Sequence, residues 1–314
     1  MSAHDADMKE TEAIYGQTDS GMTIIEGHLF LNGKKPIQHR SSYGLGEVIK
    51  AALDNHTEHL VISLGGIGSF DGGAGMLQAL GATFYDDEAQ IVDMRKGAYL
   101  IKYIRRIDLS GVHPQLTKVN IQLMSDFSSR LYGKKSEIMQ TYESLDLSQN
   151  EAAEIDNLIW YFSELFKNEL KIAMGPIERG GAGGGIAAVL NSLYQAEILT
   201  SHELVNQITH LENLIQQADL IIFGEGLKEE DQILETTTIR IAELTQQYSK
   251  PAIAICATND KFDLFESLNV TAMFNTFIDM PDSYTDFKMG IQIRHYTVQA
   301  LKLLKTQINL PLSS

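Results

Sequence analysis

The chain has 314 residues, of which 44% are hydrophobic and 21% are charged, and its formal net charge is −16. This is the composition of a globular protein with a sizeable core, and a prior of ~150 residues per domain gives about two domains. The acidic balance disfavours nucleic acid and anionic membranes as partners. The lone Cys256 excludes an internal disulfide, fits a reducing compartment and is expected to be a buried, inert thiol.

The N-terminal region has no pattern typical of a targeting or membrane-spanning segment. Residues 1–20 are polar and acidic, without the basic start and apolar core of a signal peptide. No run in the chain approaches 18 apolar residues, the length needed to cross a bilayer. We therefore expect a cytoplasmic protein that begins with a frayed lead-in, followed by short strands at 22–25 and 28–31.

The first clear α/β unit lies between residues 44 and 80. Apolar residues from Leu45 to Leu53 recur at the spacing of one helical face and predict a helix over 44–54. The apolar run 60–64 predicts a strand, which ends in a glycine-rich stretch and is followed by a helix over 74–80. A strand, a glycine-rich loop and a helix in this order are typical of an α/β fold.

The rest of the chain repeats this alternation of strands and helices. Trp160 and Phe166, in or next to the long amphipathic helix, are expected to pack in the core or between subdomains. Strands separated by helices favour parallel sheets with right-handed crossovers. The predicted strands cover 104–109, 119–124, 220–223, 252–257 and 271–274, and the predicted helices cover 151–168, 186–196, 236–248 and 288–306.

The sequence therefore predicts an α/β protein with two subdomains, whose largely parallel sheets are flanked by helices. We predict three segments. A flexible lead-in covers 1–22, an α/β region with the glycine-rich loops covers 23–217, and a Rossmann-like α/β region covers 218–314. The borders are approximate, since the domains of such a fold can be discontinuous.

Several common nucleotide and hydrolase sites are excluded by the sequence. It contains no Gly-x-x-x-x-Gly-Lys-Ser/Thr segment and no complete Gly-x-Gly-x-x-Gly, which excludes a P-loop and a dinucleotide-binding fingerprint. It also contains no Gly-x-Ser-x-Gly elbow and no His-Glu-x-x-His pair, and its histidines show no ligand spacing.

The chemistry that remains lies in loops after predicted strands, where open α/β sheets bind ligands. The first glycine loop, Gly65–Gly73, could bring backbone N–H groups close to an anion, with Asp71 holding Mg²⁺ or a substrate hydroxyl. Alternatively, Asp71 caps the following helix. Asp126, just past strand 119–124, suits metal binding or general-base work, or it is an ordinary aspartate at the end of a strand.

Two further loops offer the same kind of choice. The second glycine loop, Gly180–Gly185, leads into a helix and suggests a phosphate cradle, although close helix packing would also need glycines. Gly224–Gly226 follows strand 220–223 and precedes an acidic run, which could bind a cation or could be a solvated charged surface.

Taken in order, these segments resemble the bacterial glycerate kinase family, the glycerate 2-kinases of sugar-acid degradation. Residues 42–49 are similar to the family's TYGTGELI, residues 65–80 to GGSATNDGGAGMLQAL, and residues 107–111 to IDLSGLD. Residues 123–133 resemble ACDVDNPLLG, residues 181–188 resemble GAAGGMGAA, and residues 218–226 resemble ADLVITGEG.

The resemblance implies an α/β fold that transfers phosphate from ATP to D-glycerate with Mg²⁺. It implies that Asp71 and Asp126 act as catalytic and metal-binding residues. It assigns cofactor binding to the loops, at Gly65, Gly66, Gly72, Gly73, Gly181, Gly183, Gly184, Gly224, Glu225 and Gly226.

The chain also departs from the family pattern at positions able to bind anions. The Ser-Ala-Thr-Asn before the aspartate is replaced by residues 67–70, Asn-Pro is replaced by Ser129-Arg130, and the lysine of PQKG is absent from residues 143–146. The family's opening PDSFKGS and ADGGEGT segments have no counterpart in this sequence. These departures predict a degenerate copy with weak or no kinase activity.

The alternative is an active ATP-dependent kinase that uses replacement residues or a separately encoded N-terminal segment. Lys134, Lys135 and Arg179 are the candidate substitutes for the lost cations. The resemblance implies a hydroxy acid and a nucleotide as ligands, with a homodimer or the N-terminal segment as the protein partner. Neither nucleic acid nor membrane is expected to bind.

Overall fold

The computed structural model describes residues 1–19, 21–65, 68–225, 237–256, 262–275 and 286–305. Contacts divide the chain into two compact units, Met1–Thr200 and Ser201–Ser314. Both are α/β units built around parallel strands, as the sequence predicts. In the described part of the chain, no helix is both long and apolar enough to cross a bilayer. The domain border after residue 217 stays a prediction.

The first unit alternates short strands and helices. Its strands are β1 Ser2–His4, β2 Glu10–Glu12, β3 Gly16–Gln17, β4 Met22–Glu26, β5 His59–Ser63, β6 Thr83–Tyr85, β7 Arg106–Asp108, β8 Asn120–Met124 and β9 Glu197–Leu199. Its α-helices are α1 His28–Leu31, α2 Tyr43–Asp54, α3 Ala74–Ala79, α4 Glu137–Thr141, α5 Gln149–Leu165 and α6 Ile186–Tyr194. Shorter 3₁₀ turns cover Ile37–His39, Met94–Lys96, Ala98–Tyr103 and Pro114–Thr117, and a π turn, Phe166–Leu170, continues α5.

The central sheet of this unit has the strand order β3-β4-β5-β8-β9. Strands β4, β5, β8 and β9 are parallel, and β3 pairs antiparallel at the edge. The inward face of β5 buries Leu60 and Ile62 in a core that also takes in Leu45 and Ile49 of α2. Because β5 and β8 are parallel neighbours, the loops that follow them leave the sheet at the same edge.

The structure corrects three sequence predictions in this unit. Residues 28–31 form helix α1 and not the predicted strand. The helix buries both of the adjacent residues Phe30 and Leu31, whereas a strand would point them to opposite faces. Residues 1–17 contain three strands, and Ala3 and Ala13 are buried in the core, so the frayed lead-in is wrong. Trp160 is 47% exposed, since it lies one residue beyond the buried Ile159 and points off the core face.

The second unit has three parallel strands in the order β10-β11-β12. Its elements are α7 Ser201–Thr209, α8 Leu211–Gln217, β10 Ile221–Glu225, α9 Thr237–Gln247, β11 Ala252–Cys256, α10 Phe262–Ser267, β12 Ala272–Asn275 and α11 Asp286–Lys305. Alternate residues of β11 point to opposite faces: Ala254 packs with Phe223 and Phe265, while Ile253 packs with Ala300 of α11. Cys256 is buried, as predicted.

Candidate functional site

The candidate site forms in the first unit, beyond the carboxyl ends of β5 and β8. The Leu64 amide donates to the Met124 carbonyl at 2.8 Å, which holds the two strand ends side by side. The first glycine loop leaves β5 at Gly65, and the residues after β8 lead to Asp126 and Ser129. This is the edge at which open α/β sheets bind their ligands.

The carboxylate of Asp71 organises the first glycine loop. Its Oδ2 accepts hydrogen bonds from the Ser42 amide at 2.8 Å, the Ser42 hydroxyl at 2.9 Å and the Gly75 amide at 3.1 Å. Its Oδ1 accepts from the Gly73 amide at 3.0 Å. One side chain therefore joins the start of α2 to the start of α3.

The environment of Asp71 opposes access by a ligand. Its side chain is completely buried, and burial raises the pKa of the carboxyl, while the hydrogen bonds from Ser42, Gly75 and Gly73 lower the pKa. A carboxylate with this many protein donors has little capacity left for a metal. The catalytic and metal roles of Asp71 stay predictions, and its contacts favour a structural role at the entry to α3.

The structure brings the two glycine loops into direct backbone contact. The Gly72 amide donates to the Gly184 carbonyl at 3.0 Å. Gly184 has φ +60°, and a methyl group at its Cα would overlap the Ser69 carbonyl and lie 2.9 Å from Phe70 Cα. Only glycine combines this left-handed backbone with such a close approach. The first and second glycine loops therefore form one surface.

The second glycine loop ends at the N-terminus of α6. Gly185, with φ +104°, is the N-cap residue, and it provides no side-chain cap. The first amides of α6 therefore lie at the positive end of the helix dipole next to a loop without side chains. Such an arrangement is suited to an anion, provided that polar groups around it can complete the site.

Three buried polar groups around these loops have no hydrogen-bond partner among the described residues. They are the hydroxyls of Ser69 and Ser129 and the Oε2 atom of Glu137. A methyl group at Gly181 would come within 2.6 Å of Ser129 Oγ, and the Gly184 amide donates to the Glu137 carboxyl. Unpaired buried polar groups are rare in folded proteins, and a bound ligand or water accounts for many of them.

Glu137 differs from Asp71 in how its carboxyl is stabilised. Burial raises the pKa of Glu137 from 4.5 to about 8, and the one opposing influence is the hydrogen bond from Gly184. At neutral pH the neutral acid therefore predominates, and its hydroxyl can donate a hydrogen bond. A neutral carboxyl beside a glycine loop can bind an anionic oxygen, which an ionised carboxylate would repel.

Asp126 lies just beyond the end of β8 and is partly exposed. It can therefore reach a ligand at the sheet edge more easily than the buried Asp71. The described residues contain no group of three or more His, Cys, Asp or Glu side chains that could hold a metal ion. A Mg²⁺ ion that arrives with nucleotide phosphates needs only one or two carboxylates, so Asp126 fits such an ion, and its metal role stays a prediction.

The remaining predicted site residues are placed as follows. Gly65 directly follows Leu64 at the start of the first loop, and Gly66 lies outside the described residues. Gly183 and Gly73 lie within the joined loops. Gly224 and Glu225 end β10 in the second unit, and Gly226 lies outside the described residues.

Sequence reasoning missed Ser42 and Glu137 as members of this neighbourhood. Neither residue belongs to a glycine-rich motif, and a glutamate after a serine at a helix start reads as an exposed first-turn residue. The capping alternative for Asp71 is wrong in detail, since the N-cap residue of α3 is Gly73, without a side-chain cap. Of the proposed replacement cations, Lys134 and Lys135 are exposed before α4, and Arg179 precedes the second glycine loop.

Comparison with known proteins points to one family. The model of the Glycerate kinase family matches residues 1–292. The chain is 31% identical over 254 residues to a glycerate kinase of Halalkalibacterium halodurans, covering 79% of this chain and 66% of that protein. It is 29% identical over 236 residues to the glycerate 2-kinase of Escherichia coli K12, covering 75% of this chain and 61% of that protein.

A crystal structure assigned as a glycerate kinase 2 from Salmonella typhimurium LT2 has the same fold. It superposes with a TM-score of 0.81 at 25% sequence identity, over 98% of this chain and 83% of that chain. The matches to the two curated relatives span less than two thirds of their length.

Proposed function

Because the chain belongs to the glycerate kinase family, we propose that it binds D-glycerate or a closely similar hydroxy acid and transfers to it the γ-phosphate of ATP. The observation that carries this proposal is the joined pair of glycine loops, with Ser69, Ser129 and Glu137 contributing buried polar atoms that lack a partner among the described residues. An anionic ligand with hydroxyl groups would complement these atoms.

The reaction requires one bond to form and one to break. The hydroxyl oxygen of the acceptor bonds to the γ-phosphorus, the bond from that phosphorus to the β,γ-bridging oxygen breaks, and ADP leaves. The hydroxyl proton passes to a base, for which the partly exposed Asp126 is the best-placed candidate. The neutral Glu137 and the α6 N-terminus would hold anionic oxygens of the acceptor.

Mg²⁺ bound to ATP would neutralise charge that develops on the phosphate oxygens. Asp126 is the described carboxylate that fits this ion, because it lies at the sheet edge and is not enclosed by the protein. Asp71 is assigned to holding the loop, as its hydrogen bonds to Ser42, Gly73 and Gly75 favour.

A second candidate function is ligand binding with weak or no turnover. The enclosed Asp71 carboxylate and the departures from the family pattern at residues 67–70 and 143–146 favour it. In this case the same loops would bind the hydroxy acid, but the chain would lack the groups that stabilise the transferring phosphate.

Two measurements on the purified full-length chain separate these candidates. Calorimetry with D-glycerate and with MgADP measures binding, and ³¹P NMR of a mixture of MgATP and D-glycerate measures formation of phosphoglycerate. We expect saturable binding of D-glycerate that Ser129→Ala weakens by about tenfold, the loss of one good hydrogen bond. Ser192→Ala is the matched control, because it removes a hydroxyl in the last turn of α6 that donates to the Ala188 carbonyl within the same helix.

The outcomes have separate meanings. Phosphoglycerate formation supports the kinase, and binding of D-glycerate without phosphoglycerate supports the second candidate. Absence of D-glycerate binding, or equal binding by Ser129→Ala and wild type, contradicts the site itself.

A further inference from the structure

Arg40 lies against the first glycine loop, at a position that no glycine motif indicates. Its Nη1 donates to the Gly68 carbonyl at 2.9 Å, and its Nε donates to the Lys35 carbonyl at 2.7 Å. These two bonds fix the plane of the guanidinium, and its Nη2 has no partner among the described residues. A planar, fixed guanidinium with unused donors is suited to binding phosphate oxygens.

The charges around Arg40 come from a web centred on the buried Asp7. Its carboxylate accepts from the Lys34 and Lys35 amides at 2.7 and 3.0 Å, and the Lys35 ammonium donates to the Asp7 carbonyl at 2.6 Å. Lys9 lies 3.8 Å from the same carboxylate. A second carboxylate, Asp5, accepts from the amides of Asp7 and Lys9, both at 2.9 Å. Lys9, Lys34, Lys35 and Arg40 thus outnumber these two acids, so this neighbourhood is positive on a protein whose net charge is −16.

The burial of Arg40 indicates that the positive charge is not simply solvated. Burial lowers the pKa of Arg40, and the nearby Asp7 raises it, with burial the larger influence. The guanidinium nevertheless stays charged at any physiological pH. A partly desolvated cation at the rim of a ligand loop interacts more strongly with an anion than an exposed one does.

Gly68 allows Arg40 to come this close. A methyl group at Gly68 would overlap Arg40 Nη1 and would lie 2.8 Å from Asn32 Oδ1. The backbone conformation of Gly68 is open to other residues, because its φ is not positive. Position 68 therefore needs a residue without a side chain because the Arg40 guanidinium lies against it. This contact joins the first glycine loop to Arg40.

We propose that Arg40 is a phosphate-binding residue of this chain, which contacts the nucleotide phosphates beside Gly68. The proposal rests on the proposed function, since it assigns the nucleotide to that same site. Arg40 would supply a cation of the kind that the departures from the family pattern remove, beside a loop whose own sequence, residues 65–73, contains no basic residue. Lys134, Lys135 and Arg179 are not needed for this role.

The test is calorimetric titration of the full-length chain with MgADP and, separately, with D-glycerate. We expect Arg40→Gln to raise the Kd for MgADP at least tenfold while the Kd for D-glycerate changes less than twofold. Arg40→Lys, which keeps the charge but not the fork, should recover part of the loss. Arg95→Gln is the control for the loss of an arginine charge, because the Nε atom of this exposed residue donates to Asp93 Oδ1 at 2.8 Å.

A second variant guards against misfolding of the Arg40 replacements. Gly68→Ala keeps Arg40 but displaces the end of its flexible side chain, and we expect it to weaken MgADP binding several-fold without changing the circular dichroism spectrum. Equal MgADP affinity for wild type, Arg40→Gln and Gly68→Ala overturns the proposal. If D-glycerate binds but MgADP does not bind wild type, Arg40 as a nucleotide ligand is overturned, while binding of the hydroxy acid stands.

Discussion

The two glycine loops each lie beside a buried carboxyl group, but the two carboxyl groups differ in how many hydrogen bonds the protein donates to them. In the first loop, Asp71 accepts hydrogen bonds from Ser42, Gly73 and Gly75. In the second, Glu137 accepts a bond from Gly184 and keeps an oxygen without a partner among the described residues. Both residues are buried, so burial alone does not distinguish them.

The difference indicates which carboxyl is part of the scaffold and which is available for chemistry. A buried carboxylate whose lone pairs are occupied by backbone amides fixes the chain and has little left for a ligand. A buried carboxyl with an open lone pair is a cost to the fold unless something else satisfies it. We therefore expect Asp71 to determine stability and Glu137 to determine pH dependence.

The largest effect is expected from Asp71→Ala. The variant leaves the amides of Ser42, Gly73 and Gly75 without their acceptor in the core, and each such loss costs ~1–3 kcal/mol. We expect the free energy of unfolding to fall by about 3–5 kcal/mol, measured by urea denaturation. The control Asp87→Ala removes an exposed carboxylate and should change it by less than ~0.5 kcal/mol. Similar values for the two variants would refute the scaffold role.

Glu137→Gln is expected to change the pH dependence of stability. The folded protein holds a proton on Glu137 up to about pH 8, whereas the unfolded chain loses that proton near pH 4.5. Glu137 therefore contributes its full stabilisation below pH 4.5, the pKa in the unfolded chain. That stabilisation is lost by about 1.4 kcal/mol per pH unit as pH rises toward 8, the pKa in the folded protein. Glutamine stays neutral and keeps an acceptor for Gly184.

The measurement is urea denaturation of wild type and Glu137→Gln at several pH values from about 5 to 8. We expect the variant to gain ~2 kcal/mol relative to wild type between pH 6 and pH 8, because Glu137 of the wild type is already partly ionised near the upper end of that range. Glu178→Gln, at an exposed position just before the second glycine loop, is the control and should follow wild type. Parallel curves for wild type and Glu137→Gln would show that Glu137 is already ionised in the folded state.

The smallest effects come from a matched pair of serines. Ser42 Oγ donates to Asp71 and accepts from the Met76 amide at 2.9 Å, whereas Ser129 Oγ has no partner among the described residues. Ser42→Ala should lower the free energy of unfolding by about 1–3 kcal/mol, and Ser129→Ala by less than ~0.5 kcal/mol. Thermal melts at one pH suffice to compare them. Equal losses would mean that the Ser129 hydroxyl is bonded within the protein and is not available for a ligand.

Local residue patterns were enough to predict the α/β class and most of the elements. Apolar periodicity over 44–54 predicts α2, and short apolar runs bounded by glycines predict β5 and β11, because local side-chain spacing decides which face of an element is buried. The motifs also placed the chain in its family, since the glycine-rich and acidic segments occur in the family's order.

Local pattern failed where contacts between distant segments decide the outcome. Residues 1–17 have no strong periodicity, yet Ala3 and Asp7 are buried because the chain folds back on α2 and on residues 33–35. Trp160 was expected to pack in the core or between subdomains, but its position on α5 leaves it 47% exposed. Hydrophobicity gives the tendency to be buried, and geometry decides which residues are.

Which polar residues share the site depends on long-range folding. Asp71 and Ser42 are 29 residues apart, and Arg40 and Gly68 are 28 residues apart, and each pair meets across two loops. No local rule links such positions, because their distance depends on how parallel strands bring successive loops to one edge of a sheet. The sequence could therefore name the glycine loops, while burial and long-range hydrogen bonds separated the carboxyl that supports them from the carboxyl that is left open.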